Sequence, residues 1–171
     1  PARDVPRPLL EALPAYVREL GRGLAMIGGT ESFGAGGYRR AVEDSLPAPR
    51  RQNLHNRVLT ALVDRASDSL LARIVHHAAQ AGDQDAIVRY GPAAGRDAAR
   101  AGAHREAVAH FGLVLEHHHR FALDERAELL AQYAIECYTI GAIDKAVKAG
   151  QRAVELNRSL GDLRRLGAGL R

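Results

Sequence analysis

Apolar residues in the second half of this chain recur at helical spacing, and glycines separate one run from the next. From residue 70 onward an apolar residue stands at every third or fourth position, which predicts amphipathic helices because this spacing places the apolar side chains on one face. The predicted helices cover residues 70–80, 83–100, 104–118, 124–140 and 144–160. Four of the five are followed by a glycine, which suits the left-handed conformation that ends a helix: Gly82, Gly102, Gly141 and Gly161.

One helix–turn–helix unit within this array occurs twice, and it resembles a tetratricopeptide repeat. In that repeat a small residue between the two helices is followed five positions later by alanine and nine positions later by a large apolar residue. The two triplets that follow this pattern are Gly102, Ala107, Phe111 and, 39 residues later, Gly141, Ala146, Gly150. Gly150 is small where the pattern has a large side chain. Small residues let paired helices approach closely, so both units are expected to be tight hairpins.

The first 69 residues follow a different pattern. Apolar residues in 9–20 have helical spacing, and two short strand candidates, residues 24–27 and 31–33, flank Gly28-Gly29 as in a β-hairpin. A short helix is predicted over 38–46 and a longer one over 50–65, whose polar face carries four arginines: Arg50, Arg51, Arg57 and Arg65. We therefore divide the chain into a winged-helix-like segment with a hairpin (1–37), linker helices (38–69) and the helical repeats (70–171).

The composition agrees with closely packed helices. Apolar residues make up 46% of the 171 residues, aromatic residues only 5%, and tryptophan is absent. A core of alanine, leucine and valine suits packed helices better than a β-sandwich, whose strands favour aromatic and β-branched residues. The predicted fold is therefore all-α, an α-solenoid of tetratricopeptide-like hairpins. The net charge of +4 combines 24 basic with 20 acidic residues, which does not by itself indicate nucleic-acid binding.

The register of the paired helices predicts a binding surface, because the first helix of each pair lines the concave side of a tetratricopeptide array. Counted back from the turns at 102 and 141, that side carries Arg89, Arg96, Arg100, Glu128, Ile135, Tyr138 and Thr139. The three arginines could hold a carboxylate, a phosphate or an acidic peptide by bidentate contacts. The alternative is that they pair with acidic residues of neighbouring helices. Pro92 is expected to kink or split its helix, which would rotate the arginine stripe.

The residue patterns that carry catalysis are incomplete in this sequence. In the glycine-rich segment 29–37, Ala35 follows Gly34 where a P-loop needs lysine and then serine or threonine. Histidines stand in adjacent runs at 76–77 and 117–119, whereas a helical zinc pair has i, i+4 spacing and a third ligand nearby. Cys137 lies on an apolar stripe, which predicts a core thiol rather than a nucleophile. We therefore expect no catalytic residues, no metal site and no cofactor.

A wider resemblance covers most of the chain. The segments YRRAVEDSLPAPRRQNLHNRVLTAL and LARIVHHAAQAGDQDAIVRYGPAAGRDAARAGAHREAVAHF are similar to the region after the ATPase module in large LuxR-type STAND regulators of the actinobacterial type, some of them fused to cyclase domains. The resemblance implies a winged helix, then tetratricopeptide-like repeats, and often a C-terminal helix-turn-helix. Relatives carry Arg-His-Glu-Leu where this chain has the glycine-rich residues 34–37 after Phe33, so the family's nucleotide-sensing run is not expected here.

These observations lead to one hypothesis and one alternative from a different class. The first is a non-catalytic sensor or scaffold fragment of a LuxR-type transcriptional regulator, which binds a small effector, a protein partner or other domains of its parent through the repeats. The alternative is a nucleic-acid-binding element that uses the N-terminal hairpin and the arginine-rich helix 50–65. One cysteine, no apolar run near the roughly 20 residues of a membrane span and no signal-like N-terminus predict a cytoplasmic location. Since the chain does not begin with Met, we expect a fragment.

Overall fold

The computed structural model describes residues 46–65 and 67–161, and helices joined by turns account for these residues, with no strand among them. The fold of this part is therefore all-α, as predicted. The expected β-hairpin, the winged-helix-like segment 1–37 and residues 38–45 lie outside the described residues. The chain divides into two compact units, Pro1–Leu54 and His55–Arg171, and the first is described only over 46–54. No described helix has the length and apolar character needed to cross a membrane.

The described residues form six α-helices and two short 3-10 helices. Their bounds are α1 Ala48–Val63, α2 Leu71–Ala81, α3 Gln84–Arg100, α4 His104–Glu116, α5 Leu123–Thr139 and α6 Ile143–Ser159, with the 3-10 helices at Asp68–Leu70 and His118–Arg120. Each α-helix begins and ends within two residues of the bounds that the hydrophobic pattern predicts. The second 3-10 helix occupies the long connection between α4 and α5.

Three of the connections are glycine turns of the same geometry. Gly82, Gly102 and Gly141 have φ angles of 74°, 74° and 78°, in the left-handed region that other residues enter at a cost. In each turn the N–H of the residue after the glycine donates to the carbonyl five residues earlier, at 2.8 to 2.9 Å. This is the Schellman motif, which satisfies carbonyls that the helix end leaves without partners. The sequence therefore locates these turns correctly.

Each helix from α2 to α5 packs against the next one along the chain. Buried side chains of α2 to α5 form a continuous core, which also includes residues from the second half of α1. Its buried members are Leu59, Leu62, Ile74, Ala78, Ala86, Ile87, Ala98, Ala107, Phe111, Val114 and Leu129. The apolar pattern is thus used as predicted, with Ala107 and Phe111 almost fully buried.

The two predicted hairpins, α3–α4 and α5–α6, share one packing contact at equivalent positions. In the first hairpin Phe111 lies against Gly95, so closely that a Cβ on Gly95 would meet three ring carbons at 2.6 to 2.8 Å. In the second, a Cβ on Gly150 would lie 4.0 Å from the Cβ of Ala134. Both residues of the second pair follow those of the first by 39 positions. At position 150, where the repeat pattern has a large residue, the second hairpin therefore has a contact between two small residues.

Helix α3 continues through Pro92 rather than splitting there. Proline removes one backbone hydrogen bond and costs a helix interior about 3 kcal/mol. Close packing on both sides of the proline opposes this cost, since Gly91 lies against Val114 and Gly95 against Phe111. The expectation that Pro92 could split the helix is wrong, because both halves of α3 are held on the same partner helix.

Candidate partner-binding face on α3 and α5

The three arginines predicted to bind a ligand lie along the exposed side of α3. Arg89, Arg96 and Arg100 are all exposed, and their spacing of seven and four residues places them on one stripe. The opposite side of the helix is buried through small residues such as Ala94 and Ala98. The arginine stripe thus continues past Pro92, with Arg89 before the proline and Arg96 and Arg100 after it.

The three guanidinium groups differ in their surroundings. Arg89 lies over the ring of its neighbour Tyr90, with 5.3 Å from the guanidinium carbon to the ring centroid. Arg100 donates to Asp97 of the same helix at 2.9 Å, and both side chains are well exposed. Arg96 makes no hydrogen bond or ion pair with any described residue. The alternative interpretation of the sequence was that these arginines pair with acidic residues of neighbouring helices. Among the described residues, none of the three forms such a pair.

The four residues predicted on α5 are also exposed. Ile135 and Tyr138 are 62% and 71% exposed, the highest values for large apolar side chains in the described part of the chain. The Thr139 hydroxyl donates to the Ile135 carbonyl at 2.9 Å, and Glu128 accepts from Gln132 at 3.2 Å. This helix therefore presents an acidic group near its start and an apolar pair near its end.

The turn between α3 and α4, the first turn of α4 and the C-terminal end of α5 border one groove. This groove has a volume of about 560 Å³ and is lined by Gly102, Ala103, His104, Arg105, Glu106, Thr139 and Ile140. Thr139 is the predicted site residue that lines it. Arg89 instead lines a second groove, of about 420 Å³, whose walls come from α1 and the first turns of α3. The predicted residues thus form two exposed sets, and no hydrogen bond or ion pair between described residues joins the arginines to the α5 set.

A partly buried polar contact that the sequence did not reveal connects the two hairpins. His104 Nδ1, in the first turn of α4, lies 2.7 Å from Glu136 Oε2 near the end of α5. Glu136 is only 8% exposed, so its carboxylate depends on this partner. The one available signal was a glutamate within the buried stripe of α5, directly before Cys137.

The histidines also form a cluster that the sequence did not predict. His55 of α1 lies against His77 of α2, with 2.9 Å between their Nδ1 atoms. The ring centroid of His76 lies within 6.0 Å of the ring centroids of both. His55 is buried. Among the described residues no group of three His, Cys, Asp or Glu side chains is arranged to hold a metal ion. The contact between His55 and His77 joins α1 to α2.

Two further titratable groups are affected by burial. Burial lowers the pKa of His110 on α4, although the nearby Glu106 carboxylate opposes the change. Burial raises the pKa of Tyr133, and its hydrogen bond with Cys137 acts in the same direction. Cys137 is fully buried, so it is a core thiol, as the apolar stripe predicted.

The residues invoked for nucleic-acid binding are described only in α1 and directly after it. There Arg50, Arg57 and Arg65 are exposed and Arg51 is half-buried. The β-hairpin of that hypothesis lies outside the described residues. Comparison with known proteins gives no further support to either hypothesis, since no family model and no curated protein matches this chain.

Proposed function

We propose that this chain is a non-catalytic, tetratricopeptide-like scaffold that binds a protein partner or a small effector on one face. We call this the α3–α5 face and define it by Arg89, Arg96, Arg100, Glu128, Ile135, Tyr138 and Thr139. The observation that carries the proposal is the equivalent packing of the two hairpins. Equivalent helix pairs present equivalent outward residues, and Arg89, Arg96 and Arg100 of α3 lie 39 positions before Glu128, Ile135 and Thr139 of α5.

The chemistry of this face fits an acidic polypeptide segment with an apolar side chain. Arg96 presents its guanidinium donors to solvent, and arginine binds carboxylates in a bidentate fashion. Ile135 and Tyr138 offer exposed apolar surface to an apolar side chain of the partner. We further propose that the parent protein is a LuxR-type regulator, in which such binding would hold or release the ATPase module.

Binding can be tested with a fluorescently labelled peptide of alternating glutamate and leucine, measured by anisotropy at low salt. We expect Arg96→Glu to weaken binding at least about tenfold, because it replaces bidentate attraction with repulsion of a carboxylate. The control is Arg152→Glu on α6, which makes the same charge change at an exposed site. An equal loss in both variants would reduce the effect to net charge and contradict the proposal.

The same material tests the nucleic-acid alternative. Phosphate contacts release counterions, so affinity for a DNA duplex would fall steeply with salt concentration. If the chain binds the duplex in this manner and Arg57→Glu abolishes binding while Arg96→Glu does not, the alternative replaces the scaffold proposal.

A further inference from the structure

We propose that residues 162–171 bind to the outer face of α6 as the next helix of the array. The outer face of α6 is the side that corresponds to the side of α4 covered by α5. Residues 162–171 themselves lie outside the described residues. The proposal concerns a surface other than the α3–α5 face, so it goes beyond the proposed function and does not depend on it.

The turn that ends α6 has the geometry of the turn that ends α2. Gly161 has a φ of 68°, close to the 74° of Gly82. Each glycine N–H donates to the carbonyl three residues earlier, at 3.1 and 3.2 Å. An aspartate follows each glycine. The Asp83 carboxylate accepts from the N–H of Ala86 at 2.9 Å at the start of α3, so Asp162 is expected to begin a helix in the same way.

The sequences around the two turns correspond over a longer stretch. Residues 71–91 and 150–170 are related by an offset of 79 positions, and four residues are identical in both. The identical residues are the arginines at 73 and 152, the valines at 75 and 154, and the Gly-Asp pairs of the two turns. With the same offset, Leu166 corresponds to Ile87, which is only 3% exposed in the core. The segment after α6 thus repeats the pattern that begins α3.

The two earlier helices that correspond to α6 are each covered by the helix that follows them. α3 packs on α2, and α5 packs on α4. Val75 and Ala78 of α2 are almost fully buried, and the residues 79 positions later are Val154 and Asn157. Val154 is half-buried and Asn157 is 5% exposed. Continuity with these two contacts identifies the segment after Gly161 as the occupant of the outer face of α6.

The short connection fixes the direction of the proposed helix. Only Gly82 and Asp83 separate α2 from α3, and helices joined by so short a connection run antiparallel. A parallel helix would need a connection about as long as the helix itself. The Gly-Asp connection after α6 therefore permits only the antiparallel arrangement.

The offset of 79 positions also gives the register of the contact. Val75 and Tyr90 pack in one apolar cluster of α2 and α3, so Gly169 is placed opposite Val154. A helix over 162–171 is roughly 15 Å long. It therefore covers the C-terminal half of α6 and does not reach Val147, which is 50% exposed.

Cross-linking of introduced cysteines in the full 171-residue chain tests this register. The pair Val154→Cys with Gly169→Cys should be linked within one molecule by a bismaleimide that spans about 8–10 Å, the usual distance between packed helix axes. The control pair is Val147→Cys with Gly169→Cys, which moves one thiol by about 10 Å along α6 and should not be linked. Cys137 is fully buried and does not compete for the reagent.

A second measurement follows the alkylation rate of a single cysteine at position 154. Leu166→Asp should raise this rate at least about tenfold, because a carboxylate is unfavourable in an apolar contact. The rate of a cysteine at 147 should stay unchanged, since the segment does not reach it. Leu170→Asp is the matched control within the segment. Residue 170 corresponds to Gly91, which lies against Val114 of α4 rather than against α2, so this variant should leave the rate at 154 unchanged.

The proposal is overturned if the test pair is not linked, if the control pair is linked as readily, or if Leu166→Asp leaves the rate at 154 unchanged. A link between two molecules would assign the outer face of α6 to a second copy and would also overturn it. An equal rise at 147 and 154 would indicate loss of the whole helix pair instead of one contact, with the same consequence. Failure of peptide binding on the α3–α5 face would remove the proposed function and leave this proposal intact.

Discussion

Replacing Gly95 by alanine tests the close contact between α3 and α4. Alanine in a helix interior is normally favourable by about 1 kcal/mol over glycine. Here the added Cβ would lie 2.6 to 2.8 Å from three ring carbons of Phe111, whereas carbon atoms in contact are normally about 3.5–4.0 Å apart. Phe111 is only 1% exposed, so its ring cannot turn out into solvent, and the ring or the two helices must shift by about 1 Å.

Overpacking of this kind costs about 1–3 kcal/mol, which exceeds the gain in helix propensity. We expect Gly95→Ala to lower the free energy of unfolding by about 1–2 kcal/mol and the melting temperature by roughly 2–8 °C, measured by circular dichroism. The matched control is Gly150→Ala, whose Cβ would make an ordinary 4.0 Å contact with Ala134 and should raise stability by up to about 1 kcal/mol. If Gly95→Ala is as stable as the natural chain, the close approach of α3 and α4 is wrong.

Three further predictions concern the turns, the buried pair and pH. The Cβ of an alanine at Gly102 or Gly141 would meet no atom within 4 Å, but the backbone would keep its positive φ. Each substitution should therefore lower the free energy of unfolding, measured in urea, by about 1 kcal/mol. A much larger loss at one turn would contradict the equivalence of the two turns. His104→Ala leaves the buried Glu136 carboxylate without its partner and should cost about 1–3 kcal/mol in the same measurement, whereas a neutral effect would contradict the contact. Burial lowers the pKa of His110 below its ordinary value of 6.5, so the unfolded chain binds the proton at a higher pH than the folded chain, and stability falls as the pH drops through that value. His110→Gln should therefore reduce the fall in melting temperature between neutral pH and about pH 5. An unchanged fall would refute the burial of this ring.

The helices were predictable because short-range chemistry determines their ends. Glycine is the residue that enters the left-handed conformation most readily, so Gly102 and Gly141 marked their turns without knowledge of the tertiary structure. The burial of Ala107 and Phe111 followed in the same way from a periodic apolar face. For α3 the sequence alone overestimates the effect of Pro92, because the tendency of proline to break a helix does not include the packing of both helix halves on α4.

Contacts between distant residues were not predictable from the pattern. Glu136 was one acidic residue among several on α5, and its burial depends on where α4 places His104, 32 residues earlier. The approach of His55 to His77 likewise requires the packing of α1 on α2. The exposure of the α3–α5 face was predicted because outward positions follow from periodicity, whereas its grooves depend on the arrangement of whole helices.

Spin-label distances between α3 and α5 test most directly whether the two hairpins are equivalent units. Labels are placed at 89 and 128, at 100 and 139, and at 89 and 139, and the labelled chain is diluted into unlabelled chain so that contacts between copies do not contribute. Equivalent hairpins require the first two distances to be nearly equal. The third must be longer, because 11 residues of helix, roughly 16 Å, separate positions 89 and 100. A short distance between 89 and 139 together with longer first and second distances would contradict the repeat and the binding face built on it.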